Sequence, residues 1–493
     1  MKVTESRRIP EVFDAVVIPF DDKFTLLPQT EALLPEGLLL PVRAALREKK
    51  ADGFCAGPYA QDVYDEKLDR SRRFVLIGLG NGSLTNREVF LRLAKALQSC
   101  KAVKAGVTAV LLDNAGAILK KPAVLEKLCE LPYLVSYQFN AYRSAPVENG
   151  MKEMVLVTEQ EGLEPVLEEA GHVAMSTRMA RDLVNHPSMY MTSVRFAGEM
   201  EQMAAENGLE ITVYGPKEMQ EMIMGAFLSV ARGSKEEPRL IVLRYYGGKA
   251  DEAPIALVGK SVMFDSGGYS LKSKMATMHD DMGGGAAVAG AIRAIAAQKL
   301  PVNVVAVMAA CKNMVSGDAY VPGDILFSMN GKTIEMLNSD AEGRLTLADA
   351  ITYAIRKEGA ERIIDIATLT GAAKGAVGAR SAAVIAGDET LYEAMKKASE
   401  DSCEKIWRLP ADQELFEVLR SEVADLKNSN PGNTMGGGTI VAGLFIREFT
   451  EGKPWIHVDM APVNWLAEGN SYSIRGGTGY GVSLLYETVK NLL

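Results

Sequence analysis

At 493 residues the chain exceeds what one ordinary hydrophobic core serves, so two domains or more are expected. Hydrophobic residues at 47% and charged residues at 24% are those of a globular protein in water. A formal charge of -9, with no long basic run, argues against electrostatic affinity for nucleic acid or anionic membrane.

Five scattered cysteines, Cys55, Cys100, Cys129, Cys311 and Cys403, never form C-x-x-C, which argues against a thiolate metal site and suits a reducing compartment. Met1 to Phe13 is charged and lacks an apolar core of signal-peptide length. The most apolar helix-patterned segment, Gly283 to Ala297, is short and carries Arg293, so it does not span a bilayer. A cytoplasmic protein is expected.

Along the chain, Ala15 to Pro19 and Phe74 to Gly80 are continuous, β-branched runs and predict buried parallel strands. A helix is predicted from Arg87 to Cys100, and further strands from Val107 to Leu112 and from Met154 to Val157. The Gly78-Leu79-Gly80-Asn81-Gly82 turn fits G-x-G-x-G but lacks the third glycine of a dinucleotide fingerprint; a plain strand-end turn is the reading kept. This first part gathers no catalytic side chains and reads as a structural or assembly domain.

A Glu-rich stretch, Glu159 to Glu169, runs into a helical pattern from Met175 to Val184, which Pro187 ends. Beyond it, Leu240 to Leu243, Ile255 to Val258, Val302 to Val307, Ile363 to Ala367 and Trp455 to Asp459 read as strands, with helical segments between most of them. That alternation predicts an α/β fold with a mostly parallel central sheet flanked by helices.

Chemistry concentrates in three stretches. In Asn338-Ser339-Asp340-Ala341-Glu342-Gly343-Arg344-Leu345, the two-residue spacing of Asp340, Glu342 and Arg344 puts all three on one face of an extended segment, with a helix starting near Thr346. Alone, such a cluster is more often a charged turn with an internal ion pair. Lys260 and Asp265 sit at the end of an apolar strand, with Lys272 following. Asp280 and Asp281 open the small-residue helix, where acids are also favoured simply by the helix dipole. If Asp265, Asp281, Asp340 and Glu342 converge, their repulsion would force protonation unless cations intervene, and two divalent metals in a hydrolytic site would do so. Lys260 can be a ligand only if a metal displaces its proton. With four histidines and no H-E-x-x-H, the helix-borne zinc-peptidase pattern is excluded.

These residues stand in motifs that resemble the leucyl aminopeptidases, the cytosolic peptidases of family M17. The matches are N-S-D-A-E-G-R-L from Asn338, V-G-K-x-x-x-F-D-S-G-G-x-S-L-K from Val258 to Lys272, M-x-x-M-x-x-D-M-G-G from Met275, Asp365 to Ala372, and Ala180 to Asn185. The likeness is clear from about residue 175 onward. It implies an N-terminal α/β structural or assembly domain (1–160), a linker helix (161–186) and a C-terminal catalytic domain (187–493). It also implies a metallo-aminopeptidase that releases Leu-type and other apolar N-terminal residues from short peptides. One metal, Zn2+ or Mn2+, would be held by Lys260, Asp265, Asp281 and Glu342, and a second by Asp265, Asp340 and Glu342. A water bridging the two ions would be the nucleophile. Lys272 would polarise the scissile carbonyl, and Arg344 would hold a bicarbonate as general base. Met278, Thr368, Leu369 and Gly371 would line the substrate cleft, and the protein would be a homohexamer.

The chain departs from the family pattern in places. It is about two residues shorter between Lys272 and Met275, so the M-x-x-M-x-x-D-M register selects Asp281 over Asp280. Ser261 and Pro462 replace customary glycines, and Gly477 to Gly481 lacks a customary proline; these read as changes in loops near the pocket. A narrow dipeptidase of the Cys-Gly type on the same site is the alternative enzyme. A DNA-binding or scaffold protein with a vestigial site is the alternative class, opposed by the complete ligand set and the acidic charge.

Overall fold

The computed structural model describes residues 1–51, 57–65, 69–432 and 434–493. The chain divides into two compact units. The first comprises Met1–Arg178, Glu400–Cys403 and Glu468–Arg475, and the second Met179–Ser399, Glu404–Ala467 and Gly476–Leu493. Cys55 lies outside the described residues; the other four cysteines are buried free thiols. Among the described residues, no helix is long and apolar enough to cross a membrane.

The first unit holds six strands: β1 (Lys2–Ser6), β2 (Ala15–Phe20), β3 (Tyr59–Asp65), β4 (Arg70–Gly78), β5 (Val107–Leu111) and β6 (Glu153–Val157). They form one sheet in the order β1-β6-β5-β2-β4-β3, parallel except for β3. The unbroken apolar runs are explained by burial on both faces. On β2, Ala15 and Val17 enter one core while Val16, Ile18 and Phe20 enter the other. The predicted helix over 87–100 is the middle of Asn86–Ala102, opened by a capping box between Thr85 and Glu88. Gly78 to Gly82 is a strand-end turn. The reading passed over β1 and β3, both at sheet edges, where alternating polar residues dilute the apolar signal.

The helical pattern over 175–184 extends to Glu164–Asn185 and takes in most of the Glu-rich stretch. In the second unit, strands β7 (Glu210–Tyr214), β8 (Arg239–Tyr246), β9 (Ile255–Asp265) and β10 (Asn303–Asn313) precede β11 (Ile325–Phe327) and β12 (Thr333–Glu335). Then come β13 (Arg362–Ala367), β14 (Ala382–Ala386), β15 (Ile406–Arg408), β16 (Leu426–Lys427) and β17 (Trp455–Asp459). The eight-stranded sheet runs β15-β14-β17-β13-β9-β10-β8-β7, and β11-β12-β16 form a small sheet of their own. The middle of the large sheet, β17-β13-β9-β10, is parallel; antiparallel pairings are confined to its flanks. Residues with chemistry therefore collect at the carboxyl ends of the central strands, where an open α/β sheet places its ligands.

Two expectations are corrected. Lys260 is not at a strand end: β9 continues to Asp265, with Lys260 in its middle and buried. The Asp340-Glu342-Arg344 segment is not extended. Asn338 caps a turn, its Oδ1 accepting the Asp340 N–H at 2.9 Å and its carbonyl accepting the Ala341 N–H at 3.1 Å. Glu342 already has helical dihedrals, and the helix Gly343–Arg356 begins three residues before Thr346.

Candidate metal centre

A β-bulge builds the first half of the site. Lys260 and Asp265 are five residues apart, so on a regular strand they would face opposite sides of the sheet. The register against β10 shifts from Cys311↔Val262 to Lys312↔Phe264, leaving Met263 unmatched. One extra residue reverses the alternation and turns Asp265 to the Lys260 side. On that side stands the Gly343–Arg356 helix. Lys260 reaches past Gly343, where a Cβ would lie 2.8 Å from Nζ, and meets Glu342 Oε1 at 2.8 Å.

The second half comes from the Gly283–Ala297 helix. A Cβ on Gly284 would meet the Ile366 carbonyl at 2.2 Å, so only glycine lets this helix approach β9 and β13 so closely. That approach brings Asp281, just ahead of the helix, to Lys260 Nζ at 2.8 Å. Thr368 Oγ1 also donates to Asp281 at 2.7 Å, and the Thr368 carbonyl accepts from Lys260 at 2.9 Å. Asp280, the acid that the register passed over, makes no contact with Lys260 as close as these; its main-chain carbonyl accepts from Asn464 at 2.8 Å. Burial pushes its carboxyl up to about 7. Ser261, taken for a loop change, is a buried mid-strand residue whose hydroxyl occupies the space left by Gly285.

Lys272 closes the cluster, with Nζ 2.8 Å from Asp265 Oδ2 and 2.5 Å from Asp340 Oδ1. Carboxylate oxygens of Asp265, Asp340 and Glu342 lie within 4.8 Å of one another. Burial raises the carboxyls of Asp281, Asp340 and Glu342 above their ordinary range, Asp281 furthest. Lys260 experiences the opposite contest. Burial opposes its charge, but the attraction of Asp281, Glu342 and Asp265 prevails and holds the ammonium above the usual lysine range. Asp281 Oδ2, Asp340 Oδ1 and Glu342 Oε1 are buried acceptors without a hydrogen bond among the described residues. The lysines lie 2.5–2.8 Å from those same oxygens, so these contacts are ion pairs with poor hydrogen-bond angles. Four carboxylates share two ammonium groups in a largely buried site with lone pairs to spare, and that donor set fits divalent cations.

Arg344 leaves this cluster. Its Nη1 donates to the Asn428 carbonyl at 2.8 Å, its guanidinium lies 5.9 Å from the centre of the Phe445 ring, and its buried Nε has no hydrogen-bond partner among the described residues. Burial lowers its pKa to about 10. Thr368 and Leu369 follow β13, and Gly371 opens the short helix Gly371–Val377. Asp459 at the end of β17 holds this segment, accepting from Leu369 N at 3.2 Å and Thr370 Oγ1 at 2.7 Å. Met278 lies half-buried in the Met278–Asp280 turn.

Sequence reasoning missed three supporting residues: Asn313, Asn428 and Asp459. Asn428 grips the 337–341 turn, accepting from Leu337 N at 2.8 Å and donating to the Asn338 carbonyl at 2.7 Å. A polar residue ending an apolar strand was the available signal for Asn313 and Asp459; Asn428 had none.

Residues 178–486 match the catalytic domain of the cytosol aminopeptidase family, and residues 60–146 match its N-terminal domain. The chain belongs to the cytosol aminopeptidase family. It is a metal-dependent aminopeptidase. A probable cytosol aminopeptidase of Alkaliphilus oremlandii is 43% identical over 431 residues, 86% of each chain. A tomato leucine aminopeptidase variant has a similar structure, with a TM-score of 0.86 at 30% identity, covering 99% of this chain and 96% of its own. The bottromycin maturation enzyme BotP in complex with Mn matches with a TM-score of 0.81 at 30% identity, over 97% of this chain and 99% of that one. Two-domain architecture, family and activity thus agree with the reading of the sequence.

Proposed function

We propose that Lys260, Asp265, Asp281, Asp340 and Glu342 hold two divalent ions, Zn2+ or Mn2+, and that Lys272 and Arg344 serve the hydrolysis of short peptides from a free, preferably apolar, N-terminus. The observation that carries this reading is the set of Asp265, Asp340 and Glu342 oxygens within 4.8 Å of one another. When bound, such ions supply an activated water and a docking point for the substrate amine. Lys260 must surrender its proton to become a ligand, so metal uptake would release a proton into solution. Lys272, bridging Asp265 and Asp340 and a quarter exposed, is placed to donate to a carbonyl oxygen as negative charge develops on it. Arg344, whose buried Nε is free to donate, would hold a bicarbonate, the general base. Met278, Thr368, Leu369 and Gly371 would line the cleft for the N-terminal side chain.

In this reading the enzyme is a cytoplasmic homohexamer, without membrane or nucleic-acid partners, whose N-terminal domain, 1–160, serves assembly. The test is hydrolysis of leucine p-nitroanilide and a dipeptide panel after chelation and after re-addition of Mn2+ or Zn2+. Failure to release any N-terminal residue with either metal would end the reading. Turnover of Cys-Gly alone would move it to the narrow dipeptidase. Sizing chromatography tests the hexamer.

A further inference from the structure

We infer that Asn313 is a positioning residue for the metal centre, fixing which oxygen of Asp265 faces the ions; the inference rests on the two-metal reading above. The same bulge that turns Asp265 inward also sets Asn313 directly opposite it, as the last pair of the β9–β10 ladder. The Asn313 side chain is fully buried. Its Nδ2 spends both protons, donating to Asp265 Oδ1 at 2.8 Å and to the Ser339 carbonyl at 2.8 Å.

The amide orientation follows from chemistry: the flipped rotamer would press Oδ1 against two acceptors. As placed, Oδ1 has no hydrogen-bond partner among the described residues. An unsatisfied buried acceptor costs stability, so the two donor contacts are what hold this side chain in place.

The consequence for Asp265 is an asymmetric carboxylate. Oδ1 accepts from Asn313 Nδ2 and from Gly267 N, at 2.8 and 2.9 Å, which occupies its lone pairs. Oδ2 is left facing Lys272 and the cluster. Because Nδ2 also binds Ser339, the residue before Asp340, one amide ties the two ligand-bearing segments, the end of β9 and the 338–342 turn. Ser339 has a second anchor, as its carbonyl also accepts from Tyr320 OH at 3.0 Å. The two anchors can therefore be separated by mutation: Asn313 donates to a ligand carboxylate as well as to the turn, whereas the Tyr320 hydroxyl donates to the Ser339 carbonyl of the turn.

The experiment is calorimetric titration of Mn2+ into chelator-treated enzyme, for the wild type, Asn313→Leu, Asn313→Ala and Tyr320→Phe, with circular dichroism as a check on folding. Removing a partner that orients a ligand commonly weakens metal binding about 10–100-fold. The expected result is such a loss in both Asn313 variants, near-wild-type affinity in Tyr320→Phe, and recovery of turnover in Asn313→Leu as Mn2+ is raised. Equal losses in Asn313→Leu and Tyr320→Phe would reduce Asn313 to a prop for Ser339 and overturn the inference. So would unchanged affinity, or failure of both Asn313 variants to fold. If the wild type itself takes up no Mn2+, the two-metal reading falls first, a distinct outcome.

Discussion

The two units set carboxylates beside cations with opposite results. In the first, Arg73 grips Asp62 across β3 and β4 through two hydrogen bonds of 2.7 Å, and Arg43 holds Glu31 at 3.1 and 2.5 Å. Each acid has its own arginine and a partly exposed side chain, and the arginine hydrogen bonds hold both carboxyls below their ordinary range. In the second unit, acids outnumber lysines, most of the cluster is buried, and burial drives the carboxyls of Asp281, Asp340 and Glu342 up although Lys260 and Lys272 stand within 2.8 Å. A one-to-one pair in solvent is electrostatically complete. A buried excess of acid is not, and its completion by cations is what turns a structural feature into a binding site.

The largest effect should come from Glu342→Gln, which removes the acid that reaches both Lys260 and the Asp265–Asp340 pair. Metal occupancy and peptidase activity should fall together, by at least about a hundredfold, measured by metal analysis and leucine p-nitroanilide turnover. Normal occupancy with normal turnover would place Glu342 among ordinary ion-paired residues and erase the contrast.

Asp349 offers an intermediate case, a buried carboxyl paired with neither arginine nor lysine among the described residues. Its oxygens accept from Phe227 N at 2.9 Å and Met329 N at 2.8 Å, and burial raises its pKa to about 7. A raised acid binds more protons folded than unfolded between its ordinary 3.8 and about 7, so it contributes a loss of stability as pH rises through that window. Asp349→Asn cannot ionise. Relative to the wild type it should gain stability from pH 4 to pH 8, by on the order of 4 kcal/mol. Thermal melts across that range measure the difference; parallel curves for the two proteins would refute it.

How much of this could be read in the sequence depended on what set each feature. β2, β9, β10, β13 and β17 were legible because strands buried on both faces are written as unbroken apolar runs. The acids were legible as charges out of place in such runs or beside glycines. The bulge at Met263 was not, because nothing in Ser261-Val262-Met263-Phe264 marks where the ladder slips; the partner strand decides it. Spacing misled at Asp340-Glu342-Arg344, since the Asn338 side chain outcompetes the extended backbone and sends Arg344 toward Asn428 and Phe445. Asp340 and Glu342 meet all the same, through a turn and a helix start. Arg344 stands apart from them, by a geometry that the two-residue spacing concealed.

Lys272→Ala tests the boundary within the site. Lys272 is the partly exposed cation of the cluster, so its loss should leave metal binding in place while lowering kcat about 100-fold, with little change in KM. Full activity would assign carbonyl polarisation to another group. Loss of metal would make Lys272 part of the binding machinery.

The smallest effect belongs to the first unit, and it decides whether the comparison holds. Asp62 and Arg73 have side chains 48% and 17% exposed, so solvent screens their attraction and replaces it when either partner is lost. Because Asp62 is held below its ordinary 3.8, its contribution is present above that pH and disappears as pH falls through the lower folded value. Asp62→Ala should therefore cost less than about 1 kcal/mol at neutral pH, and less again in high salt. Metal affinity should not change. A cost of several kcal/mol that high salt leaves unchanged, measured by the same thermal melts, would mean that exposure does not weaken this pair. Arg73 would then matter through its other hydrogen bond, 2.9 Å to the Ser99 carbonyl, which ties β4 to the Asn86–Ala102 helix and survives the Asp62 change. Arg73→Ala removes both contacts. The difference between the two variants isolates the helix tie from the ion pair, and only the ion-pair part should shrink with salt.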